Sequence, residues 1–249
     1  MTLLSPRTLC IAFLACVLAL CETGCKDAPG KPKPWSETAR PDQVLDFATL
    51  YAQNCAACHG DRGTNGAAIS LANPVYLEIA GLANIQRVTA SGVRGTMMPG
   101  FAKSAGGMLT DRQIASVSQG MIAAWGKPTE LSREALPVYA GSSPGIAAEG
   151  QKAFATFCSR CHGADGTGVS TRKMRTGSLV DPSYLSLVSD QGLRSFILAG
   201  QPEQGMPDWR SDLTGGAARA MTDREISDVV AWLALHRADA PGQPHQNRP

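Results

Sequence analysis

The sequence predicts an all-α fold made of two copies of one helical module, and three observations lead there. The stretch "NCAACHG" at residues 54–60 returns as "FCSRCHG" at 157–163. Flanking landmarks return in the same order at nearly fixed offsets, the mark of an internal repeat. Strand-like alternation is nearly absent, while apolar residues recur at helical spacing.

Taken from the start, residues 1–25 read as an export signal. Arg7 precedes an unbroken apolar run from Leu9 to Leu20, and Glu22, Thr23 and Gly24 follow. A run of that length covers only ~18 Å as a helix against a hydrocarbon layer of ~30 Å, so it is a poor membrane span and is expected to be cleaved. "TGC" ending at Cys25 resembles the box at which bacterial lipoprotein signals are cut and the cysteine is lipidated, although Glu22 is atypical there. Plain cleavage near Ala28, a Cys21–Cys25 disulfide and an uncleaved anchor are the alternatives. Residues 26–43 read as a tether, whose proline-rich part, 26–41, reaches ~50 Å when extended at ~3.1 Å per residue.

The first module covers 44–127 and the second 147–237; 128–146 reads as a linker rich in Pro and Gly, and 238–249 as a disordered tail. In each, a helix leads into the cysteine motif (44–57 and 147–160) and sets both thiols and the imidazole on one face. A second helix follows Pro74 and Pro182. A third runs through "ANIQRVTASG" and "GLRSFILAG", and a closing helix starts at capping boxes, Thr110 with Gln113 and Thr222 with Glu225. One exchange between copies bears on packing. Phe47 in the first helix stands opposite Gly120 in the closing helix, whereas the second copy has Gly150 and Trp232 in the reverse order. Close-packed crossing helices need one small partner, so Phe47 is expected to meet Gly120, and Trp232 to meet Gly150.

A CxxC pair followed by His can hold zinc, work as a redox disulfide or attach a haem. Zinc would use the four cysteines and leave both histidines unexplained. A thioredoxin-like disulfide requires a βαβ setting that is missing. The haem reading uses every residue: Cys55 and Cys58, or Cys158 and Cys161, make thioether links while His59 or His162 binds iron. On these motifs the chain resembles the class I cytochromes c across both modules. The resemblance implies two tandem domains of a few helices, each around a covalently attached haem c. It also implies a sixth ligand from a Met-Pro loop, which the internal repeat assigns to Met98 rather than Met97, and to Met206. Pro74 and Pro182 look like the residues whose carbonyls hold the ligating imidazole in that family. Met108, Met121 and Met221 read as core, and His236 and His245 as solvated.

Lys plus Arg number 23 against 21 Asp plus Glu and are scattered, so no nucleic-acid-binding face is expected. With both axial positions filled, the resemblance implies an electron carrier rather than an enzyme, on the periplasmic side of a bacterial membrane. Its partners would be a terminal oxidase or a quinol-oxidising complex, with lipid on Cys25 as the anchor. The rival is a dihaem oxidoreductase, a peroxidase or a thiosulfate dehydrogenase-like enzyme, with one haem catalytic.

Overall fold

A computed structural model describes residues 39–127, 136–172, 175–210 and 219–238. The expected export signal with Cys25, most of the expected tether, the first part of the expected linker and nearly all of the expected tail with His245 lie outside the described residues. From Pro41 onward the described residues form one compact unit.

In the first module α1 (Phe47–Asn54) starts at Asp46, whose carboxylate accepts from Thr49 N at 2.8 Å, and α2 (Ala56–His59) carries the motif. The helix expected to run unbroken into the motif is bent at Cys55 (φ −118°, ψ −36°). Cys158 bends in the same way (φ −118°, ψ −31°) between α5 (Ala147–Phe157) and α6 (Ser159–His162). Helix α3 (Pro74–Ser91) begins with proline behind the Asn73 cap and breaks at Gly81 (φ 66°), which separates the expected second and third helices. In the second module these are α7 (Pro182–Leu187) and α8 (Asp190–Ala199). The closing helices α4 (Asp111–Trp125) and α9 (Asp223–Ala234) both carry complete capping boxes. Apart from two isolated bridges, Ala102 with Leu109 and Gln201 with Met206, the departure from an all-helical plan among the described residues is a two-residue antiparallel ladder. It pairs Val169–Ser170 with Arg175–Thr176 and lies in a segment the first copy lacks.

The first core gathers Leu50, Tyr51, Leu77, Ile85, Ile114, Val117 and Met121; the second gathers Phe154, Leu185, Leu198, Ile226, Val229, Trp232 and Leu233. Met121 and Met221 are buried, as expected, but Met108 is 85% exposed and belongs to no core. The glycine exchange is realised in both copies. A Cβ on Gly120 would come within 2.7 Å of Phe47 Cβ, and one on Gly150 would overlap the Asp228 carbonyl and lie 2.9 Å from Trp232 Cβ. Each closing helix also ties down the chain entering its own module. Gln113 Nε2 donates to Pro41 O and Val44 O, and the Asp228 carboxylate accepts from Ile146 N at 2.6 Å.

The described part of the linker, 136–146, lies against the second module. Arg194, buried in α8, donates to the carbonyls of Val138 and Tyr139 and to Ser227 Oγ, and pairs with Asp223. Tyr139 packs against the first core, which contains Tyr76, so this segment touches both modules. The Pro and Gly that suggested a loop allow this close path, because the chain at Gly145 passes against the Ser227 carbonyl.

The two capping boxes differ in one respect with a measurable outcome. Gln113 does not titrate. Glu225, held by Arg219, its own cap backbone and Thr222, has its pKa lowered from 4.5 to about 2. A carboxylate depressed on folding contributes stability above its unfolded pKa and loses it as pH falls through the folded one. The second module is therefore expected to lose stability between about pH 4.5 and 2 through this box, and Glu225→Gln to remove that part of the slope, in urea melts followed against pH.

Candidate functional site

The cysteine motif is built alike in both copies. After the bend, Cys58 N and His59 N both bond back to Cys55 O at 3.2 and 3.0 Å; Cys161 N and His162 N bond to Cys158 O at 3.1 and 3.0 Å. Both thiols and the imidazole thus belong to one turn. Burial pushes the Cys55 thiol up to about 11 and the Cys158 thiol up to about 12, so both stay protonated near neutral pH. His59 is 7% exposed, and burial lowers its pKa as it does that of His162. Both imidazoles are accordingly neutral, the form that ligates a metal.

What holds each imidazole corrects the expectation for the prolines. His59 Nδ1 lies 2.8 Å from Ile69 O, so the carbonyl that receives it is not that of Pro74. Pro74 instead opens α3, behind a cap whose Asn73 Oδ1 accepts from Val75 N and Tyr76 N. In the second copy His162 Nδ1 is buried and has no partner among the described residues, while the Pro182 carbonyl accepts from Ser186 Oγ at 2.6 Å. Proline at the first helical position has a local reason, since its fixed φ suits a helix start. With Nδ1 donating to Ile69, the lone pair of His59 is left on Nε2.

The Met-Pro turns also match. Val93 N bonds to Met98 O at 3.0 Å, and Gln201 N bonds to Met206 O at 2.9 Å. Gly92 (φ 69°) and Gly200 (φ 64°) close helices α3 and α8 against these turns. A Cβ would lie 2.5 Å from Pro99 C and 2.7 Å from Met98 O at Gly92, and 2.5 Å from Pro207 C and 2.6 Å from Met206 O at Gly200. Only glycine combines that backbone conformation with that proximity. Met97, the alternative to Met98, is 78% exposed, whereas Met98 is partly buried. Among the described residues no group of His, Cys, Asp or Glu side chains is placed to hold a metal ion by itself, so the two cysteine pairs do not converge on a zinc site.

Comparison with known proteins fits this geometry. The sequence model of the Cytochrome c family matches residues 147–236, and that of Cytochrome C oxidase, cbb3-type, subunit III matches 42–119. The chain carries two cytochrome c domains in tandem. It is 27% identical over 174 residues to the cbb3-type cytochrome c oxidase subunit FixP of Sinorhizobium medicae, covering 65% of this chain and 52% of that protein. With subunit FixPc of Rhizobium leguminosarum bv. viciae it shares 27% over 189 residues, covering 72% and 58%, and with CcoP of Cereibacter sphaeroides 26% over 196, covering 72% and 60%. The chain thus spans between 52% and 60% of the length of these curated relatives. Among solved structures, a chain of the Kuenenia stuttgartiensis reducing HAO-like protein complex overlays with a TM-score of 0.44 at 18% identity, covering 81% of this chain and 100% of that one.

Two cytochrome c domains imply two covalently held haem c groups, and the residues present fit them. Each domain sets a thiol pair, a neutral imidazole and a glycine-cradled methionine on elements that its own backbone bonds fix. Sequence reasoning missed Ile69 and the Cys55 and Cys158 bends, because a backbone carbonyl or a φ/ψ change leaves no side-chain signature.

Proposed function

We propose that this protein is a dihaem c-type cytochrome that carries single electrons. In it His59 with Met98, and His162 with Met206, are the axial ligands, and the thiol pairs Cys55/Cys58 and Cys158/Cys161 anchor the groups. The duplicated Met-Pro cradle carries the reading, since a methionine fixed twice by the same backbone contacts is what a filled sixth position requires. When bound, a His/Met haem supplies a one-electron couple poised high by the thioether. The protein's part is to fix both ligands and keep the imidazoles neutral. A peroxidase or thiosulfate-oxidising enzyme would need an iron without its methionine, and the matched cradles favour the carrier.

The named relatives are subunits of cbb3-type oxidases, which supports a terminal oxidase as acceptor, with a quinol-oxidising complex or another redox protein as donor. On this reading the protein works at the periplasmic face of a bacterial membrane, held by lipid on Cys25 through the 26–43 tether. The test is carbon monoxide added to the fully reduced protein, matured with haem. An unchanged spectrum at both haems is expected; binding at either contradicts the carrier reading.

The imidazoles also predict an order of potentials. A carbonyl accepting from His59 Nδ1 raises the basicity of the ligand and favours ferric iron, and His162 has no such partner among the described residues. The first-domain haem is therefore expected to titrate at the lower potential, checked by redox titration with the waves assigned from single-domain variants. The reverse order counts against it.

A further inference from the structure

The two domains meet at the start of α3. Val75 and Ile79 pack into the second core, Ala199 of α8 packs into the first, and the Asn73 side chain crosses between them. Its Nδ2 donates to Ala199 O at 2.8 Å, with Asn73 4% and Ala199 2% exposed, so water does not compete for this bond. The internal repeat shows what this amide is for. The equivalent residue in the second domain is Asp181, exposed, whose carboxylate caps α7 by accepting from Tyr184 N at 2.8 Å. Asp and Asn cap helices about equally well, so capping alone does not call for an amide at 73. The donor does, because a carboxylate there would set oxygen against the Ala199 carbonyl.

The ends of this bond lead to both proposed iron ligands. On one side four peptide links run from Asn73 back to Ile69, whose carbonyl meets His59 Nδ1 at 2.8 Å. On the other, Ala199 leads through Gly200 to Gln201, which exchanges two backbone hydrogen bonds with Met206 at 2.9 and 3.1 Å. We propose that Asn73 is the positioning residue for electron exchange between the haems, its amide completing an unbroken run of covalent and hydrogen bonds from His59 to Met206. Electronic coupling falls off more steeply across a through-space gap than along bonds, and this is the polar crossing between Asn73 and Ala199. The inference rests on the dihaem carrier reading above.

The test uses the full haem-loaded protein and Asn73→Ser, which keeps a capping oxygen and loses the reach to Ala199. One haem is reduced by a flash, and transfer to the other is followed optically, with solution scattering and thermal melting in parallel. The packing of Val75 and Ile79 in the second core and of Tyr139 and Ala199 against the first still holds the interface, so scattering and melting are expected to stay close to the parent's. Exchange is expected to slow severalfold, because a through-space step replaces the lost bonded crossing. An unchanged rate overturns the proposal. So does a slowing that appears only with the domains drifting apart, since Asn73 would then be an interdomain fastener and no bridge. A parent protein without haem that can be reduced would defeat the carrier reading itself, a result visible before any variant is made.

Discussion

Met206→Ala is expected to leave the second-domain haem attached through Cys158 and Cys161 while lowering its midpoint potential by on the order of 0.1 V or more, a fraction of the ~0.8 V that axial ligation spans. The thioether favours ferrous iron, and its loss leaves the ferric form stabilised. The turn itself should persist, because Met206 is held through its backbone by Gln201 and by the close approach of Gly200, none of which needs the side chain. The variant haem should also turn high-spin and bind carbon monoxide. Met98→Ala should do the same to the first-domain haem alone, with each titration wave moving independently. If Met98→Ala leaves potential and spectrum unchanged, the ligand is the neighbouring Met97 and the assignment from the internal repeat fails.

Gly150→Ala should destabilise the second domain by roughly 3 kcal/mol. The new Cβ has no room, because the Asp228 carbonyl is backbone of the crossing helix and cannot turn away. Alanine gains only ~1 kcal/mol over glycine in helix propensity, so the clash wins. Gly120→Ala meets a side chain instead, the Phe47 ring and Cβ. Its destabilisation should therefore be partly relieved in the Phe47→Ala, Gly120→Ala double variant, as judged by urea midpoints, whereas Trp232→Ala should give Gly150→Ala little relief. Equal rescue in both domains would show that the two crossings are not built as described.

These glycines also show why much of the fold was legible in the sequence. A duplicated chain carries its own comparison: where large and small residues trade places between copies, the contact between them is written in the exchange. The capping boxes at Thr110 and Thr222 were readable for the same reason, since each depends on side-chain identity at a fixed spacing. What was missed lies in the backbone or across the interface. The carbonyl that meets His59 belongs to Ile69, a residue whose side chain says nothing about that role, whereas Pro74, to which the family resemblance pointed, opens a helix instead. The partner of the Asn73 amide, Ala199 O, lies 126 residues away in the chain, so no local spacing marks this contact. The linker read as a loop from its Pro and Gly, but the buried cation that pins it, Arg194, sits more than 50 residues further along the chain.

The central claim is that each domain holds iron between an imidazole nitrogen and a methionine sulfur. Iron X-ray absorption on the mature, oxidised protein tests it most directly. A sulfur scatterer at both irons, lost at one of them in Met98→Ala and at the other in Met206→Ala, is the predicted result. Nitrogen-only coordination at either iron, or mature protein carrying no iron, would contradict it.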